Sequence, residues 1–236
     1  MPEKHVSSQF DHELNSVAGR IMEMGGLVES QIKFAIDALS NLDSAAAAQI
    51  ARLEERVNEL DVEIDAELST IIATRQPTAK DLRLLLGISK ATSNLERIGD
   101  EANKIGRMVQ TIINEGAPRN LPILELRYSG ELAAAQLRSA LDAFARMDLD
   151  SVVSILRQDD LIDKEFEGYT RKLVTYMMED PRKISISLEM LFLAKSIERI
   201  GDHAKNLAEL VVYMVKGKDV RHTSVEHVES TLKQGD

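Results

Sequence analysis

Apolar residues in this 236-residue chain recur at intervals of three and four over most of its length. In one stretch the series runs Leu84, Ile88, Ala91, Leu95, Ile98, Ala102, Ile105, Val109 and Ile112. In another it runs Leu191, Ala194, Ile197, Ile200, Ala204, Leu207 and Val211. That spacing lays one apolar stripe along a helix and does not suit a strand, whose faces alternate at every second residue. Turn signals divide the pattern at Asp43-Ser44, Gln76-Pro77-Thr78, Gly116-Ala117-Pro118, Asp148-Leu149-Asp150, Asp180-Pro181 and Gly217. The spacing predicts six long helices, over roughly 10–42, 44–74, 80–114, 121–146, 149–179 and 183–215.

The same plan occurs twice. ERIGDEA at 96–102 answers ERIGDHA at 198–204. IDALSNLD at 36–43 matches LDAFARMD at 141–148, and ELDVEID at 59–65 matches LIDKEFE at 161–167, in the same order. An internal repeat of this length predicts an all-α protein of two tandem three-helix bundles with long antiparallel helices. The bundles span residues 10–116 and 119–217. A polar tail, 218–236, is expected to be loosely ordered, with His222 and His227 in solvent.

Composition agrees with helices. Aromatics are 4%, Trp is absent and Gly and Pro are few. The net charge of −10 comes without any dense Lys/Arg block, which argues against a general nucleic-acid binder. With no Cys, disulfides, thiolate metal sites and Cys nucleophiles are excluded. No apolar run approaches membrane-spanning length, and MPEKHVSSQFDHEL is not a secretory signal, so a cytoplasmic protein is expected.

The candidate chemistry lies in acid pairs. Glu96 and Asp100 are one helical turn apart, as are Glu198 and Asp202, Asp61 and Asp65, and Asp163 and Glu167. Like charges at this spacing destabilise a helix by about 0.2–0.5 kcal/mol per pair. Gly99 and Gly201, inside helices, each add about 1 kcal/mol relative to Ala. Divalent cations would offset this, because hard cations take oxygen ligands and two carboxylates one turn apart can share an ion. A glycine beside each Asp lets a neighbouring helix or ligand come close, and Asn103 offers a further oxygen. His203 points about 100° away from Asp202 and is not a ligand candidate. The plain alternative for any single pair is a solvated face, with Arg97 and Arg199 as ordinary surface ion pairs; fourfold repetition at matching places is what favours a metal. Met22-Glu23-Met24-Gly25-Gly26 reads as close packing or a slight bend, and Met177-Met178 as core filling. No phosphate-cradling loop, Ser-His-Asp grouping or HExxH is present, so no enzyme activity is expected.

Two three-helix halves, each carrying Glu-x-x-x-Asp on its last helix, resemble the PhoU family of phosphate uptake regulators. The resemblance extends over MEMGGLVE (22–29), RQPTAKDLRL (75–84), LDAFARMD (141–148), LVTYMMED (173–180) and VKGKDVRH (215–222). It implies a cytoplasmic negative regulator of the phosphate-starvation response and of phosphate uptake. Such a protein links the ATPase subunit of a phosphate ABC transporter to a sensor histidine kinase at the cytoplasmic membrane face, without spanning the membrane. It implies a homodimer and bound divalent or trivalent metal ions (Mg, Mn, Zn or Fe). Carried onto this chain, the metal residues are Glu96, Asp100, Glu198 and Asp202, with Asp61, Asp65, Asp163 and Glu167 facing them. Two rivals are a metal-free scaffold whose acids meet basic patches, and a di-metal carboxylate oxidoreductase. The latter needs Glu-x-x-His on two helices, and no Glu here has His three residues on.

Overall fold

A computed structural model describes residues 8–114, 116 and 122–233. Six long helices carry the chain: α1 (Ser8–Asn41), α2 (Ser44–Arg75), α3 (Ala79–Asn114), α4 (Ile123–Arg146), α5 (Val152–Glu179) and α6 (Ile184–Lys216). A short α7 (Val225–Lys233) follows, and no strand occurs among the described residues. The expected breaks at Ala117 and Pro118, and the expected start of the fourth helix at 121, lie outside those residues.

Local chemistry sets the boundaries. The Asp43 carboxylate accepts from the backbone N–H groups of Ala45 at 2.8 Å and Ala46 at 3.3 Å, capping α2. Gln76, left-handed at φ 47°, closes α2 by donating its N–H to the Ile72 carbonyl, and Pro77 prevents continuation. The fifth helix starts later than 149 because the Asp148 carboxylate draws in the Asp150 N–H at 2.9 Å and the Ser151 hydroxyl at 2.5 Å, which holds these residues in a turn. Gly217 at φ 69° ends α6.

In each half the three helices pack on one another. The halves meet through α3 against α6 and α1 against α4, so α3 and α6 form the centre of the molecule. One continuous apolar core runs through both halves. Gly25 belongs to that packing: a Cβ there would lie 2.7 Å from the Leu141 side chain of α4. The tail differs from expectation. Val220 and Val228 are buried, α7 packs on α5, and Arg157 bonds Glu229 at 3.1 Å. Val225, Val228 and Leu232 are spaced three and four apart, a period too short to stand out from a polar tail, yet they suffice to seat a nine-residue helix on an existing core.

The two halves do not repeat with one offset. Gly99 faces Glu54 and Val57 of α2, and Gly201 faces Asp159 and Ile162 of α5. The second helices therefore correspond at 105 residues and the third helices at 102. The match of 59–65 to 161–167 suggested by the sequence is thus one turn out of structural register; Asp163 stands where the first half has Asn58.

Candidate functional site

Gly99 and Gly201 each sit opposite a buried glutamine held to a buried acid. Gln31 of α1 donates its amide to the Glu54 carboxylate at 2.6 Å. Gln136 of α4 donates to Asp159 at 3.2 Å and to the Ile155 carbonyl at 3.3 Å. Gln31, Glu54, Gln136 and Asp159 are all buried. A Cβ on Gly99 would lie 2.9 Å from Gln31 Oε1 and 3.2 Å from Glu54 Oε2. On Gly201 it would lie 3.0 Å from Ile162 and 3.1 Å from Gln136 Oε1. The glycine between Ile and Asp in each ERIGD thus makes room for a Gln–carboxylate pair from the other two helices of its half. Gln31 Oε1 and Gln136 Oε1 are buried with no hydrogen-bond partner among the described residues, as is Glu198 Oε2.

Around each pair the acids form a cluster. In the first half, burial lifts Glu54 above the usual carboxylate range; the Gln31 amide opposes this and the Asp100 and Glu96 charges add to it. Burial, then Asp100, raises Glu96, with a smaller push from Asp61. Burial, then Asp65, raises Asp61. In the second half burial, Glu198, Asp159 and Asp163 together push Asp202 up to about 6. Asp163 is raised by burial, then by Asp159 and Glu198. Mutual elevation of this kind marks carboxylates that share one poorly solvated space.

Of the eight residues the sequence singled out, Glu96 and Asp100 gather around Glu54, with Asp61 on the far side of Glu96, and Asp163, Glu198 and Asp202 gather around Asp159. Asp65 lies one turn farther along α2, with Ser89 donating to it at 3.5 Å. Glu167 is exposed and pairs with Arg171 at 3.5 Å. The sequence reading missed Glu54, Asp159, Gln31, Gln136 and Lys205. A signal existed: Arg-x-acid-acid occurs at 52–55 and again at 157–160, and each glutamine precedes its acid by the same 23 residues.

The donors are hard oxygens and suit a hard cation. The unpartnered Gln31 and Gln136 oxygens and the glycine cradles fit such a site in chemistry. In the side-chain positions present, no group of three acidic or histidine side chains among the described residues is arranged to hold an ion. An ion would have to draw the acids together by side-chain rotation.

Between the clusters runs a polar seam with two-fold character. Glu101 of α3 accepts from Ser196 at 2.9 Å and Arg199 at 3.0 Å of α6. The residues 102 along and 102 back reproduce the contact: His203 donates to Asn94 at 3.0 Å. Asn206 donates to the same Asn94 oxygen at 3.0 Å. Burial lowers the His203 pKa, which keeps the ring neutral.

Fold and site together define a class: an all-helical tandem repeat with a carboxylate cluster in each half and a polar seam between. The chain belongs to the PhoU family, whose domain matches residues 21–109 and 126–211. It is 48% identical over 229 residues to the phosphate-specific transport system accessory protein PhoU homolog of Burkholderia sp, covering 97% of each chain. It is 46% identical over 230 residues to the PhoU accessory protein of Escherichia coli (strain K12), covering 97% of this chain and 94% of that one. The crystal structure of PhoU from Pseudomonas aeruginosa superposes with a TM-score of 0.85 at 44% identity, over 89% of this chain and 100% of that one. The PhoU structure from Streptococcus pneumoniae gives 0.81 at 26% identity, over 89% and 99%. Among the described residues no helix is long and apolar enough to cross a membrane.

Proposed function

We propose that the chain is an accessory regulator of phosphate transport that represses the phosphate-starvation response. In this reading it is a non-enzymatic homodimeric adaptor at the cytoplasmic membrane face, between a phosphate ABC transporter ATPase and a sensor histidine kinase. At least one of its carboxylate clusters holds a divalent cation. The observation that carries the reading is near-full-length identity of 44–48% to proteins named as phosphate transport accessory proteins, with the acid clusters in both halves. The cation would neutralise the acids and set the spacing of α2 against α3 or of α5 against α6, the faces offered to a partner. Glu54, Asp61, Glu96 and Asp100, or Asp159, Asp163, Glu198 and Asp202, are the donors on offer.

The test is complementation. In a bacterium lacking its own PhoU protein, this reading expects a starvation-induced reporter to stay active in high phosphate. Expression of this chain is expected to silence it. Continued reporter activity with the folded protein present would sink the regulatory reading. Recovery of the transporter ATPase on the immobilised chain, with and without chelator, tests the metal.

A metal-free scaffold is the second reading, favoured by the acids not converging as they stand. It expects Glu96→Gln with Glu198→Gln to weaken partner recovery equally with and without chelator. The metal reading expects chelator alone to mimic the substitutions.

A further inference from the structure

The two carboxylate clusters share three matching acids, Glu54 with Asp159, Glu96 with Glu198 and Asp100 with Asp202, and differ in the cations beside them. In the second half the Lys205 ammonium sits 2.9 Å from Asp159, an acid only 1% exposed. At the other end of the cluster Lys195 meets Glu198 at 2.5 Å. Counting back 102 residues, the first half has Asn103 and Ser93 at these places. No Lys or Arg among the described residues pairs with Glu54 or Asp61. Arg97, which is largely exposed, reaches Glu96 at 3.5 Å and Asp100 at 3.8 Å from outside. The whole halves follow suit: residues 10–116 hold 18 acidic and 11 basic side chains, residues 119–217 hold 16 and 14.

We propose that Lys205 and Lys195 are a built-in substitute for a cation in the second half, so that this chain takes up a single divalent ion, in the first half, at Glu54, Glu96 and Asp100. The first cluster carries an independent sign of a missing ligand. Gln31 is fully buried, its amide nitrogen is committed to Glu54, and its oxygen faces Gly99 beside that carboxylate with no partner among the described residues. The second cluster has orphans at Gln136 Oε1 and Glu198 Oε2, but an ammonium already sits on its deepest acid and another on the second Glu198 oxygen. A buried carboxylate needs a counter-charge at close range, and a lysine supplies one without leaving room for a second. The ligand class is a hard divalent cation, because every donor is a carboxylate or amide oxygen.

This inference rests on the metal part of the proposed function and can fail apart from it. The chelator-treated full-length chain is titrated with Mn²⁺, with bound ion counted by calorimetry and by the loss of the free-ion paramagnetic signal. The native chain is expected to bind one ion. Glu96→Gln with Asp100→Asn abolishes uptake, and Glu198→Gln with Asp202→Asn preserves it. Asn103→Lys, which copies the second half into the first, abolishes uptake and raises the melting temperature of the ion-free protein. Lys205→Asn with Lys195→Ser raises the count to two. Asn103→Lys keeps the test decisive if the double lysine variant does not fold. Two ions on the native chain, or one that survives Glu96→Gln with Asp100→Asn, overturns the inference and leaves the metal reading standing. No uptake by any variant overturns both.

Discussion

Ser196 of α6 donates a 2.9 Å hydrogen bond to the buried carboxylate of Glu101 on α3, and this contact anchors one half of the molecule to the other. Arg199 and Lys104 reach the same carboxylate, at 3.0 and 2.7 Å. Glu101→Ala leaves a buried hydroxyl and a guanidinium without their acceptor. The expected loss is about 2–3 kcal/mol, with the melting temperature falling by roughly 5–10 °C. Glu101→Gln keeps an acceptor and should cost less. Equal loss for both variants would show that the seam depends on the charge and not on the hydrogen bond.

Gly99→Ala inverts the usual rule. In an open helix interior the change stabilises by about 1 kcal/mol. Here the new methyl meets Gln31 Oε1 at 2.9 Å and Glu54 Oε2 at 3.2 Å, so a loss of about 1–2 kcal/mol is expected. In a Gln31→Ala background the space opens, and the same substitution should turn neutral or stabilising. A double-mutant cycle on denaturant midpoints measures the reversal; additive effects would separate the glycine from the glutamine.

Glu209, one turn beyond Lys205 on α6, gives a pH signature of its own. Burial pushes its carboxyl up to about 7 from the usual 4.5, with Lys205 and Arg221 opposing the rise and Asp159 and Asp219 supporting it. A raised acid binds its proton in the folded state while the unfolded chain has released it. Stability therefore falls as pH climbs through 4.5 to 7 and levels off above. Glu209→Gln removes that slope. Its melting temperature relative to the native chain should rise across the window by on the order of 5 °C. A difference constant from pH 4 to 8 would mean that Glu209 titrates normally.

Val228→Asp should release α7. The side chain is 1% exposed, and Arg157–Glu229 is a partly exposed pair able to contribute little by itself. Limited trypsin digestion is expected to cut after Arg221 several times faster in the variant, while the six-helix body keeps its circular dichroism. Unchanged cleavage would show that α7 is held by something other than this valine.

The helices were legible because their stripes run for thirty residues, and a period repeated that often outweighs local propensity. Their ends were legible where a side chain does the capping, as at Asp43. They were not where a turn captures the first helical residues, as at Asp148 to Ser151. Glu96, Asp100, Glu198 and Asp202 stood out because a five-residue string occurs twice. Glu54 and Asp159 did not, because one is Glu and the other Asp. Their partners, moreover, sit on helices that precede them by 23 residues, and only packing brings the two together. The role of Gly99 could not be read from its neighbours in sequence at all; it depends on a glutamine 68 positions away. Lys205 and Asn103 were both in view, and their difference gained meaning only once they were seen to occupy matching places beside a buried acid.

The seam between α3 and α6 has the symmetry of a contact between identical subunits, yet both sides belong to one polypeptide. Separate subunits part on dilution, so such a contact must be apolar enough to keep its partners together at cellular concentration. A covalent connection replaces that encounter with an intramolecular one whose effective concentration is fixed by the tether. The seam is thereby free to bury a carboxylate and half-bury an imidazole and two amides, groups that orient the halves more sharply than they attract them. Diluting the protein cannot undo this pairing, so the spacing between its two acidic faces stays constant at any expression level.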